Sequence, residues 1–287
     1  MSNKSKNKQK SKIKPLLYGL LSFFLAFDLF FLSIFLVIET TVFSEDFMLS
    51  KMGECGYYSM VTDELKSELK SLGNASGLDE SFAEDFVNSI DILEIEHKYI
   101  SAFYSGNTTL VDTKEFKRQL YTALDEYMEQ KEISKESVSQ ENLNYFVDEA
   151  ANRYVSQISI PFFSFFANYI YNASTTFLII TISLAAAALI IAAIIVFTNR
   201  FKHRRFRYLS YGCAGAFLAV TIIPVVVFLS GKISQINLNT RSLYNLFVSY
   251  TSGFFANFFI YGAILLLLSV LTFVLYRRYY LRAISHS

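Results

Sequence analysis

Tryptophan is missing from this 287-residue chain, proline occurs three times and cysteine twice. Each scarcity excludes something. Cys55 and Cys213 alone cannot build a disulfide scaffold, and no C-x-x-C pair exists to hold zinc or run redox chemistry. HExxH, GxSxG and P-loop patterns are missing, so the common metal-dependent, serine-dependent and nucleotide-dependent chemistries have no sequence support. The scarcity that decides most is of acid: outside residues 39–149 there is a single carboxylate, Asp28, and the other 24 lie within that interval.

What is abundant is apolar. Hydrophobic residues make up 53% of the chain, with 29 Phe and 19 Tyr. They concentrate in four runs, at 16–38, 176–198, 209–230 and 254–276. A bilayer core needs about 20 helical residues, so each run is long enough to span it. The first run is too long for the core of a signal peptide, and no small-x-small cleavage pattern follows it, so it reads as an uncleaved anchor. Tyr18, Tyr169, Tyr171, Tyr208, Tyr211, Tyr250, Tyr276 and Tyr279 cluster near the run ends, as interfacial aromatics do.

Lys and Arg bias orients the spans. Lys4, Lys6, Lys8, Lys10, Lys12 and Lys14 fill residues 1–15. Arg200, Lys202, Arg204, Arg205 and Arg207 fill the loop 199–208, and Arg277, Arg278 and Arg282 follow the last span in 277–287. No acid accompanies them. All three segments are expected in the cytoplasm, and with them both termini. The loop 231–253, with only Lys232 and Arg241, is expected outside.

Residues 39–175 then form an extracytoplasmic domain. It holds 24 acids and ten cations, a net charge of −14. Its periodicity is helical. Val61, Leu65, Leu69 and Leu72 share a stripe; Asp112 and Glu115 read as a capping box before Phe116, Leu120 and Leu124; Ser139 opens a helix carrying Phe146, Val147, Ala150, Tyr154 and Ile158. The expected architecture is all-α: a four-span helix bundle with a domain of four or five helices inserted between spans 1 and 2. The first of those helices is expected to continue span 1, since no Gly or Pro interrupts residues 39–51. The aromatic segment 162–171 either lies along the membrane or lengthens span 2. Pro224 is expected to kink span 3.

Four side chains are candidates for function. Asp28 lies mid-span, where a carboxylate is costly and marks either a structural hydrogen bond or a transport path. Thr181, Ser183, Thr221 and Ser269 are its available hydroxyl partners. Glu94 and His97 form one Glu-x-x-His pair, with His97 on the apolar stripe of Phe86, Ile90, Leu93, Ile100 and Tyr104. A dinuclear metal centre needs two such pairs and further carboxylates, so a core or interface histidine is the better reading. Arg241 is a cation that could dock on the acidic domain. No metal, cofactor or nucleic-acid partner is expected.

The layout of four spans and one large outer loop resembles that of tetraspanins and claudins. Neither family is indicated: the Cys-Cys-Gly motif of the first is missing, and the second requires tryptophan in its signature. The cytoplasmic segments are too short to hold a catalytic or DNA-binding domain. The expectation is a multi-pass protein of a bacterial cell membrane that binds a protein partner or ligand through its outer domain. A small transporter or transporter subunit is the alternative.

Overall fold

The computed structural model describes residues 2–107, 111–133, 139–238 and 240–285, with side chains from Lys14 onward. Lys4 to Lys12 and Lys135 therefore contribute to the charge count but lie outside the described side chains. Ten α-helices and no strands occur among the described residues. They are α1 (Ser2–Thr41), α2 (Glu45–Glu54), α3 (Tyr57–Ala75), α4 (Glu80–Asn88), α5 (Ile92–Tyr104), α6 (Thr113–Gln130), α7 (Gln140–Ile158), α8 (Phe163–Thr198), α9 (Lys202–Ser230) and α10 (Arg241–Ser285). The chain divides into two compact units, and α8 and α10 each contribute residues to both.

The apolar unit is built from α1, the rest of α8 from Ser174, α9, and α10 from Thr251. All four helices are long and apolar enough to cross a membrane. Between 17% and 28% of each apolar window is buried within the protein, so most of it is left for lipid. Close approach needs small residues. A Cβ on Gly212 would meet Leu25 Cδ2 at 2.9 Å, and one on Gly262 would meet Thr221 Oγ1 at 2.9 Å. Polar side chains bond across helices as well. Ser22 Oγ donates to Tyr208 O at 2.7 Å, and Ser210 and Ser269 each donate to the other's carbonyl, at 3.2 and 3.3 Å. Helix α9 runs uninterrupted through Pro224.

The acidic unit comprises residues 43–173 and 237–250. It contains six complete helices, more than the expected four or five. The extra helix comes from the stripe expected over Phe86 to Tyr104, which residues 89–91 divide into α4 and α5, and two further breaks set the helix starts upstream. Ser44 accepts a hydrogen bond from Phe47 N at 3.1 Å and starts α2 afresh, so α1 ends at Thr41 instead of running on. Gly56, at φ 70°, turns the chain between α2 and α3 where a side chain would be strained.

Helix α3 lies at the centre, packed by α2, α4, α5 and α7. Its stripe Tyr57, Val61, Leu65 and Leu69 is buried with Phe86 and Val87 of α4 and Val147, Ala150 and Tyr154 of α7. Each large apolar side chain there contributes roughly 1.5–3 kcal/mol over its exposed state. The aromatic segment is the first part of α8, which lengthens the second apolar helix to 36 residues. Leu243 and Leu246 at the start of α10 pack into the same core. The segment expected to be an outer loop is thus helical from Arg241 onward.

Candidate functional site

A cleft of about 580 Å³ opens in the acidic unit, between α5, α6 and α7. Two helix starts meet at its rim. Asp91 caps α5 by accepting from Glu94 N at 3.0 Å, and Asp112 caps α6 by accepting from Lys114 N at 2.9 Å. Glu94 and Glu115 add two carboxylates one turn into each helix, and Lys98 is the one cation in the lining. The floor is apolar and aromatic: Ile90, Ile95, Tyr99, Val111, Phe116, Tyr154 and Ile158. Phe116 and Tyr154 stack there at 4.2 Å.

The electrostatics follow from these contacts. Arg118 and then Gln119 donate to Glu115 and hold its carboxyl down to about 2. Asp112 therefore acts as the cap, while Glu115 turns to Arg118 instead of closing a capping box. Burial pushes the Tyr154 phenol up to about 12, with the carboxylates of Glu96 and Asp112 adding to it. Ser89 also lines the cleft, but its hydroxyl donates to Phe86 O at 2.7 Å and is not poised as a nucleophile. The arrangement suits binding: an apolar group on the floor, a positive charge at the rim.

The sequence candidates fall in different places. Glu94 is on the rim, paired with Lys98 at 2.5 Å and not with His97. His97 is exposed on the outer side of α5, its ring 5.7 Å from that of Tyr58. The stripe expected to include His97 breaks at residues 89–91, and Leu93 is 51% exposed. Capping by Asp91 starts α5 in a register that buries Ile92, Glu96, Tyr99, Ile100 and Phe103. Among the described residues, no group of three or more His, Cys, Asp or Glu is placed to hold a metal.

Arg241 is exposed and makes no ion pair among the described residues. Its neighbour Ser242 docks instead: Ser242 N donates to Glu64 Oε1 at 3.0 Å and its hydroxyl to Oε2 at 2.5 Å. Asp28 is half-buried in α1, and its Oδ2 is enclosed without a hydrogen-bond partner. The expected hydroxyl partners are not used. Thr181, Ser183 and Ser269 donate to backbone carbonyls, and Thr221 Oγ1 has no partner among the described residues.

The residue the sequence reading passed over is Glu96, fully buried between α5 and α3. The register set by the Asp91 cap was the signal that could have found it. No family model matches the chain, and no curated protein or solved structure matches it.

Proposed function

We propose that this is an integral membrane binding protein whose acidic helical unit faces the outside of the cell and takes up a cationic, amphipathic ligand or protein segment. Orientation rests on the Lys and Arg bias of residues 1–15, 199–208 and 277–287. The observation that carries the binding reading is the cleft of about 580 Å³, with four carboxylates around an aromatic and aliphatic floor. Apolar lining with a few convergent polar groups is the general form of a ligand site. The net charge of −14 on residues 39–175 attracts cations toward it from a distance.

The test is fluorescence titration of the full-length protein in uncharged nanodiscs with a Lys/Leu amphipathic peptide. Replacing Glu94 and Glu115 together by Gln removes two rim charges and leaves both caps intact. Binding is expected to weaken severalfold, and the loss should shrink in high salt. Equal affinity for the double variant and the wild type would reject the cleft as the site.

Asp28 supports a second reading, a proton-coupled transporter, because its enclosed Oδ2 has no partner among the described residues. Under that reading proteoliposomes pass protons down an imposed potential, and Asp28→Asn stops them. Unchanged flux in Asp28→Asn removes the transport reading.

A further inference from the structure

Among the described residues, Glu96 is the only acid with a fully buried side chain, at 0% exposure. Neither of its carboxyl oxygens has a hydrogen-bond partner among the described residues. The groups that act with it come from three helices: Tyr57 and Tyr58 of α3, Tyr99 of α5 itself and Tyr154 of α7. Cys55, at the end of α2, acts on the same two α3 tyrosines. All are neutral weak acids, and none can balance a carboxylate. Lys51, a cation of α2, is held by Glu54 at 2.6 Å. Glu64, which also acts on Tyr57, is occupied by Ser242, and His97 is exposed, with its ring against Tyr58. An ionised carboxylate without a counter-charge is expelled from such a place or takes up a proton.

We propose that Glu96 is an internal proton-binding site, and that α5 packs against α2 and α3 only while this carboxyl is neutral. Burial raises the group well above its ordinary value of 4.5. The folded unit therefore keeps a proton that the unfolded chain has already released. The resulting stability is complete below 4.5 and is lost as pH rises toward the folded value.

Helix α5 has more to hold than itself. The Tyr99 hydroxyl accepts from Ile160 N at 2.8 Å and donates to Ile160 O at 3.3 Å. Phe103 stacks on Phe163, the first residue of α8, at 4.1 Å. Ile95, Lys98 and Tyr99 form one wall of the cleft. Deprotonation of Glu96 thus loosens the cleft wall and the root of α8 together, and makes the unit responsive to alkaline pH.

Two measurements on the full-length protein in nanodiscs test this. The first is infrared spectroscopy in an Asp28→Asn, Glu39→Gln background, which removes the two other carboxyls among the described residues that have an enclosed oxygen without a partner. A protonated-carboxyl band is expected near neutral pH, and loss of that band on adding Glu96→Gln. The second is hydrogen exchange of residues 92–104 between about pH 6 and pH 9, with labelling times scaled for intrinsic rates. Protection in the wild type should fall by up to roughly tenfold per pH unit, while Glu96→Gln and the apolar Glu96→Met hold a flat profile. Overturning results are a background spectrum without the band, wild-type α5 protection that does not change with pH, or a pH response that persists in both variants. The background spectrum and the wild-type exchange profile decide the matter even where neither Glu96 variant folds.

Discussion

Tyr57 and Tyr99 both bury a phenol, with opposite consequences. The Tyr57 hydroxyl has no partner among the described residues, so its desolvation is uncompensated. The Tyr99 hydroxyl closes both polar groups of Ile160. Tyr57→Phe should therefore leave stability unchanged or raise it by up to about 1 kcal/mol, since it removes an unpaired polar atom. Tyr99→Phe strands the Ile160 N–H and should cost about 1–3 kcal/mol. Thermal unfolding followed by circular dichroism separates the two, and a Tyr99→Phe variant as stable as Tyr57→Phe would show the Ile160 bonds to be idle. The same scale explains the exchange of His97 for Glu96. Residues one apart point about 100° away from each other on a helix, so an error of one position in register trades a surface side chain for a core one. Apolar pattern alone favours His97 over Glu96, because nothing local reveals that a carboxyl is to be buried.

At the scale of elements, side-chain caps decide where helices begin. Ser44, Asp91 and Asp112 each accept from a backbone N–H of the first turn. Ser44→Ala should cost about 1 kcal/mol and speed hydrogen exchange in residues 45–50 alone. The cap of α10 is supplied from elsewhere in the chain, by Glu64 of α3. Glu64→Ala should fray the first turn of α10 by about 1–2 kcal/mol, seen as faster exchange in residues 242–246. Slow exchange there after the substitution would mean that Thr240, which accepts from Leu243 N at 3.3 Å, caps the helix unaided. Glu115 adds a pH dependence of its own. Its folded value, about 2, lies below the ordinary 4.5, so its contribution is present above 4.5 and lost as pH falls toward 2. Glu115→Gln should flatten the acid limb of α6 unfolding, and salt should do the same, because the pair with Arg118 is exposed.

At the scale of the whole molecule, charge and apolar length act together. Thirty-six residues of α8 and 45 of α10 measure roughly 54 and 68 Å at 1.5 Å per residue, well beyond a hydrocarbon core of about 30 Å. Both helices therefore carry residues that belong to the acidic unit as well as an apolar stretch. The proposed orientation is open to direct test in a Cys55→Ser background. A membrane-impermeant maleimide should label Thr122→Cys in intact cells and Ser285→Cys only after permeabilisation. The reverse pattern would invert the orientation and place the acidic unit inside.

The four apolar helices and the all-helical class were legible in the sequence because each rests on a local property: run length, or a period of 3.6 residues. The helical stripes of Val61–Leu69 and Phe146–Ile158 are read in the same way, and both are buried in the structure. The continuity of α1 into the acidic unit was misjudged, since the cap at Ser44 competes with helix propagation and the absence of Gly or Pro does not reveal it.

The sequence by itself determined the segregation of charge, the number of apolar helices and the helical nature of the acidic unit. These depend on how one stretch of chain meets water or lipid. Only the tertiary structure decided which acids matter. Glu96 in the core, Glu64 on the start of α10 and the ring of Asp91, Glu94, Asp112 and Glu115 around one cleft arise from contacts between residues far apart in the chain. Burial and solvation of a carboxylate are set by those neighbours, which composition and periodicity do not encode.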